Sequence, residues 1–370
     1  MTVNRIFLSP PHMSGRELEY IKKVFESNYI APLGEYVNKF EESVKKYTGA
    51  KYALALSSGT AAMHLALKVL QISDEDEVFA SSLNFIGSVA PVKYERAALT
   101  FVDSDYKSWN MDPDLLRREF VKRVASSQKL PKAVILTHLY GQCAEIDTIK
   151  EICDYYNVYL IEDAAESLGA FYKGRHSGTF GDFGILSFNG NKILTTSGGG
   201  MLISNNKAFI DKARYYSTQA KEDKPYYEHT ELGYNYRMSN VLAAIGVAQM
   251  EVLEERVRKK REIFDIYREE LNESAEFMPE LPNSRGNRWL TTTLFDTAPE
   301  KIIKALEIED IEARPLWKPM HMQPVFKNSK ALGGEISEKL FEKGVCLPSG
   351  TALECEDVLK IAKIVKKVID

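Results

Sequence analysis

Residues 158–203 set the narrowest limits on the fold. An apolar run, Val158–Ile161, predicts a buried strand. It carries Glu162 and Asp163 to its C-terminal end, where open α/β sheets place their sites. Past a glycine-rich turn, Ile185–Phe188 predicts a second strand, followed by Asn189-Gly190-Asn191 and Lys192, with Thr195, Thr196 and Ser197 ahead of three glycines. A carboxylate and an amine thus arrive at the same sheet edge. Each is commonplace alone, as a strand-end aspartate capping a turn or a solvated lysine.

Together they suit one chemistry. A lysine amine in a partly desolvated pocket can lose its proton and form a Schiff base with an aldehyde. A pyridoxal cofactor also needs a carboxylate against its ring nitrogen, so that the ring can act as an electron sink. Asp163 and Lys192 would supply both.

The rest of the chain alternates strand and helix. Tyr52–Leu56 predicts a short strand, followed by Ser57-Ser58-Gly59-Thr60 and a helical run, Ala61–Leu70. A hydroxyl-bearing turn at a helix N-terminus offers free N–H groups to an anion; it is equally an ordinary N-cap. Residues 77–103 read as strand, helix, strand, with Asn84-Phe85 opening the helix. Residues 132–163 repeat the unit, with strand Ala133–Thr137, the turn His138–Gln142 and a helix to about Asn157. Such alternation predicts a mostly parallel sheet covered on both faces. His138 reads as a hydrogen-bonded structural residue.

From Ser239 a helical pattern runs to about Leu271, and its EERVRKKRE run reads as the solvated face of an interdomain helix. Residues 288–370 read as a smaller α/β unit with Arg314-Pro315-Leu316-Trp317-Lys318-Pro319-Met320-His321 between its strands. An arginine suits a diphosphate or carboxylate, and aromatics suit a base or sugar. The expected division is a large cofactor-binding domain over 1–250, which includes an N-terminal substrate loop, and a small C-terminal domain over 251–370.

Composition excludes other classes. A net charge of −4 leaves no basic field for a nucleic acid, and no apolar stretch approaches the about 20 residues that cross a bilayer. Four cysteines without C-x-x-C spacing, and no signal peptide before them, predict reduced thiols in a cytoplasm. The six histidines have no ligand spacing, so no metal site is expected. No G-x-G-x-x-G follows a strand, which disfavours a nicotinamide enzyme.

The segments SSGTAAMHLAL, IEDAAES, GTFGD, SFNGNK, the triple glycine, GYNYRMSN and RPLWKPMHMQPVF follow one another along the chain. In this order they resemble the DegT/DnrJ/EryC1/StrS family of fold-type I sugar aminotransferases, which depend on pyridoxal 5'-phosphate (PLP). LSPPHM, SNYIAPLGE, LTHLYG, FNGNKILTTSGGGML and CLPSGTA are similar to one branch of it. That branch uses L-glutamate to aminate C4 of UDP-2-acetamido-2,6-dideoxy-4-keto-hexose. The product is UDP-4-amino-4,6-dideoxy-N-acetylglucosamine, a bacillosamine precursor for protein glycosylation. The alternative is a 4- or 3-aminotransferase for another nucleotide-linked keto sugar.

The resemblance implies an α/β fold-type I PLP-dependent aminotransferase, with a mostly parallel mixed sheet in the large domain plus a smaller C-terminal α/β domain. It implies Lys192 as the catalytic Schiff-base lysine and Asp163 as the partner of the pyridine nitrogen. Gly59, Thr60, Ser187 and Asn235 would hold the phosphate, Phe85 would cover the ring, and Glu166 would orient its hydroxyl edge or a water. Tyr29, Ile30, Ala31 and Pro32, with Arg314, Pro315, Leu316, Trp317, His321 and Phe326, would bind the UDP-linked sugar. A homodimer with shared active sites is implied, in which Asn235 reaches the neighbouring subunit's phosphate.

Overall fold

Apolar strands, most of them followed by a turn and a helix, assemble into one eight-stranded sheet. Its order is Tyr52–Leu56, Gly200–Ser204, Phe183–Ser187, Tyr159–Asp163, Ala133–Thr137, Glu77–Ser81, Ala98–Val102 and Lys330–Leu332. This is a computed structural model, and it describes residues 5–369. Gly200–Ser204 runs antiparallel to both its neighbours, while the pairings from Phe183–Ser187 onward are parallel. Every residue of Ala133–Thr137 is buried, as a strand covered on both faces requires. The second predicted strand begins two residues earlier than its apolar run suggests, at Phe183, because Gly184 pairs with Glu162 and Ile203.

The register brings the chemistry to one edge. Thr137 lies opposite Asp163, Asp163 opposite Ile185, and Gly200 opposite both Ser187 and Leu56. Gly200 has a steric reason: a Cβ there would stand 2.3 Å from the Gly59 nitrogen, so only glycine lets this strand start beneath the helix Gly59–Val69.

A second, antiparallel sheet of four strands has the order Glu276–Phe277, Thr291–Leu294, Gly344–Leu347, Arg314–Pro315. Ile302, Leu306, Val358, Ile361 and Val365 from two helices bury its apolar side. Two segments cross a division at residue 250. Ile6 bridges Ile311, and Lys330–Leu332 returns to pair with Ala98–Val102 of the large sheet.

The region after Ser239 differs from its sequence pattern. It forms two helices, Asn240–Met250 and Leu253–Leu271, separated by a break at Glu251 and Val252. Nor is the EERVRKKRE run a wholly solvated face, since Arg256 and Lys260 lie on the buried stripe with Val257, Phe264 and Tyr267. Lys260 is 2% exposed and donates to the Trp289 carbonyl (2.8 Å), the Ser349 carbonyl (2.7 Å) and Ser9 Oγ (3.3 Å). Burial pushes its amine down to about 7. An amine held below its unfolded value takes up a proton on unfolding, so stability is lost as the pH falls from about 10 towards about 7. Against Lys260→Met, the parent's unfolding free energy should rise by up to about 1.4 kcal/mol per pH unit between about pH 7.5 and 9.5. Denaturant titrations across that range would read the difference, and parallel curves would refute it.

Candidate active site

The strand ends open onto a cavity of about 740 Å³. At one end is the N-terminus of the helix Gly59–Val69. Ser58 caps it by accepting the Ala61 N–H at 3.0 Å, which leaves the first N–H groups of the helix without intrahelical partners by position. Ser57, Ser58, Gly59, Thr60 and Ser187 surround that point. A compact anion is what such a cradle accepts.

On the floor stands Asp163, 5% exposed. Its Oδ1 accepts the Ala165 N–H at 3.0 Å and its Oδ2 accepts the Ser88 hydroxyl, so the carboxylate is fixed on both oxygens. Two further polar atoms of cavity-lining residues, Asn84 Nδ2 and Thr137 Oγ1, are buried without a partner among the described residues. The neighbouring Glu162 has a different task. Burial would raise its carboxyl, but His138 Nε2 at 2.9 Å and the N–H groups of Gly178 and Gly181 hold it low. His138 Nδ1 accepts the Ala144 N–H, so the ring is spent in structure, as expected.

Lys192 lines the same cavity. Its Nζ is 3.4 Å from Glu166 Oε1 and 4.2 Å from the centre of the Trp289 ring. Burial drives the Glu166 carboxyl up to about 7, against the pull of Lys192 and the Tyr140 N–H. This carboxyl can therefore hold or release a proton near neutrality beside the amine. Phe85, which could have been an ordinary core phenylalanine, is 56% exposed at the cavity and tilted against Trp317 at 5.7 Å.

A cradle for an anion, a fixed carboxylate, a partly buried amine and an exposed aromatic share one chamber, with two lining polar atoms left unpaired among the described residues. The donor set fits PLP, which presents a phosphate, a ring nitrogen and an aldehyde. Gly59, Thr60, Phe85, Asp163, Glu166, Ser187 and Lys192 all line the cavity.

The sugar-binding expectations divide. Arg314 and Trp317 line the cavity, with Arg314 Nη2 2.8 Å from Glu312 Oε1. Leu316 and Phe326 are core residues, 1% and 2% exposed, with Phe326 packed edge-on against Phe101. Pro315 pairs with Val345 in the second sheet, outside the cavity wall. His321 spans Ser82 Oγ (2.6 Å) and Glu338 Oε1 (3.0 Å), which uses both ring nitrogens. Within this chain, then, these four do not reach the cavity. Tyr29, Ile30, Ala31 and Pro32 lie beside the helix Asn240–Met250, where Asn240 donates to the Tyr29 and Ala31 carbonyls, and they too are outside the cavity. Asn235 is exposed and bridges Thr218, also away from the chain's own cavity.

Sequence patterns missed Trp289, Tyr140 and Ser88. Tyr140, with φ of +51°, is fully buried, donates its N–H to Glu166 Oε2 at 2.7 Å and accepts the Trp317 N–H on its hydroxyl. The only local hint was an aromatic inside a tight His-Leu-Tyr-Gly turn.

Comparison with known proteins places these features in context. Residues 11–366 match the family described as the DegT/DnrJ/EryC1/StrS aminotransferase family. A Bacillus subtilis (strain 168) protein designated pyridoxal phosphate-dependent aminotransferase EpsN is 50% identical over 368 residues, covering 97% of this chain and 95% of its own. GDP-perosamine synthase of Escherichia coli O157:H7 is 36% identical, with 96% of each chain covered. Among solved structures, a DegT DnrJ EryC1 StrS aminotransferase from Brucella abortus superposes with a TM-score of 0.91 at 26% identity, covering 96% of this chain and 95% of that one.

Proposed function

The chain belongs to the DegT/DnrJ/EryC1/StrS family of PLP-dependent sugar aminotransferases, and from that premise we propose that it transfers the amino group of L-glutamate to C4 of UDP-2-acetamido-2,6-dideoxy-4-keto-hexose. The convergence of Lys192, Asp163 and the Gly59–Thr60 helix terminus on one cavity carries the chemical part of this reading. The UDP-linked acceptor, and with it a place in bacillosamine formation in a cytoplasm, rests on the similarity of SNYIAPLGE, FNGNKILTTSGGGML and CLPSGTA to that branch. The 36% identity to a GDP-perosamine synthase favours a second reading, a GDP-linked keto sugar.

PLP, when bound, supplies an aldehyde that takes up the amine and a ring that delocalises the electron pair left on carbon. The chain's own groups do the rest. Lys192 Nζ removes the proton from the donor's α-carbon and, in the second half-reaction, delivers one to C4 of the sugar. Glu166 Oε1 stands 3.4 Å from that amine. Asp163, braced by Ser88 and the Ala165 N–H, would face the ring nitrogen. The helix terminus and Ser187 would hold the phosphate, and Phe85 would cover the ring. A panel of UDP-, GDP- and dTDP-linked keto sugars with glutamate, read by NMR of the products, tests the assignment. The UDP 4-keto-6-deoxy sugar should give the highest kcat/KM; a higher value for a GDP sugar would transfer the assignment to the second reading.

Arg314 is the proposed contact for the diphosphate. Arg314→Ala should raise the acceptor KM about tenfold or more and leave the glutamate half-reaction unchanged, because the lost contact is remote from the chemistry. Loss of the glutamate step alone would assign Arg314 to the donor carboxylate instead.

We also propose a homodimer with shared sites. Its support is a set of exposed apolar side chains, among them Leu18, Phe25, Tyr29, Ile30 and Leu232, together with the position of Asn235 outside its own cavity. Mixing Lys192→Ala with Asn235→Ala protein should restore activity, since one of the two sites in the hybrid is then intact. Two inactive parents that exchange subunits without recovery would refute it.

A further inference from the structure

A lysine amine buried in a protein core with no carboxylate partner among the described residues needs an explanation, because an apolar side chain of the same length would be cheaper to bury. Lys260 is such an amine. Its Nζ stands within hydrogen-bond distance of three acceptors drawn from distant segments: Ser9 Oγ, the Trp289 carbonyl and the Ser349 carbonyl. Two of those segments meet again at a single atom. Ser9 Oγ donates to the Asn191 carbonyl at 3.1 Å, and Trp289 Nε1 donates to the same carbonyl at 2.7 Å. Asn191 immediately precedes Lys192, and the Trp289 ring also lies under the Lys192 amine at 4.2 Å.

We propose that Lys260 is a positioning residue for Lys192. By holding Ser9 and Trp289 together from behind, it fixes both donors on the Asn191 carbonyl, and so fixes the backbone from which the Lys192 side chain starts. Lys260 is not among the cavity-lining residues and acts only through these two. Removing its amine leaves two carbonyls and a hydroxyl without this partner, and the Asn189–Lys192 turn loses its back wall. The proposal rests on Lys192 being the reacting amine.

The test compares Lys260→Met, which keeps the length of the stem and removes the donors, with the parent enzyme. Displacement of a reacting group by about 1 Å costs on the order of 100-fold. The single-turnover rate constant for glutamate should therefore fall about 10- to 100-fold, with the glutamate KM held within about threefold. In the cofactor-free protein, acetic anhydride should label Lys192 several-fold faster in the variant, read by peptide mass spectrometry against the exposed Lys22. Ser9→Ala should act in the same direction to a smaller extent, and the double variant should lose no more than Lys260→Met alone, since both act along one path.

If Lys260→Met leaves the rate constant and the labelling within about twofold of the parent, the proposal is overturned, whatever happens to Tm. Should Lys260→Met not fold, Ser9→Ala combined with Trp289→Phe removes both donors from the Asn191 carbonyl, and the same two readouts decide. Lys192→Ala separates the two levels. Turnover that survives it defeats the assignment of Lys192, whereas a dead Lys192→Ala beside an unaffected Lys260→Met defeats only the positioning role.

Discussion

Lys192→Ala should fold, bind PLP and turn over negligibly, with kcat reduced by at least about 10³–10⁴-fold. The lower bound comes from the loss of a positioned acid–base group alone, which is worth about 10²–10⁴. Loss of the covalent attachment adds to it. Among the described residues no other lysine lines the cavity, and Lys260 is engaged by three acceptors behind the wall. Folding should survive, because the alanine removes a side chain that faces the cavity and leaves the Lys192 N–H to Asn189 O bond in place. Steady-state rates and the absorbance of the bound cofactor would be measured together. Turnover within tenfold of the parent would remove Lys192 from the chemistry and with it the proposed mechanism.

Asp163→Ala should be the second most damaging change, costing about 3–4 kcal/mol in the barrier, or about 10²–10³-fold in kcat, on the scale of other buried electrostatic stabilisers. Asp182→Ala is the matched control. Asp182 immediately precedes the neighbouring strand Phe183–Ser187, where its carboxylate accepts the Leu160 N–H at 2.9 Å near the opposite end of Tyr159–Asp163, and it is not among the cavity-lining residues. Its loss should lower stability and leave kcat within a few-fold. Asp163→Asn separates charge from shape, since the amide can still fill the space between Ser88 and Ala165. Equal losses in the Asp163 and Asp182 variants would contradict the role given to Asp163.

The parts of the site legible in the sequence were those tied to a strand end or a helix start. Asp163 and Lys192 could be placed because a short apolar run fixes where a strand stops, and Gly59–Thr60 because a small polar turn precedes a helix. What could not be read was orientation. The run from Arg314 to Phe326 passes through a short strand and two 3₁₀ turns, so its side chains point in several directions. Arg314 and Trp317 face the cavity, whereas Leu316 and Phe326 face the core. Trp289 lay hidden for another reason: its contact with Asn191 spans 98 residues of sequence. Lys260 did carry a signal. Arg256, Val257, Lys260, Phe264 and Tyr267 fall on one helical stripe, and charge alone made that stripe look solvated.

The strand Lys330–Leu332 has a consequence for how the molecule can be divided. It occupies the outer edge of the large sheet beside Ala98–Val102, although it comes from the C-terminal third of the chain. A fragment ending near residue 250 would expose a row of unpaired N–H and C=O groups along Ala98–Val102, a template for edge-to-edge association. Such a fragment should precipitate or form fibrils where the full chain stays dispersed. Supplying residues 320–345 in trans should suppress that by strand addition. The C-terminal portion thus protects the first sheet from self-association in addition to walling the cavity.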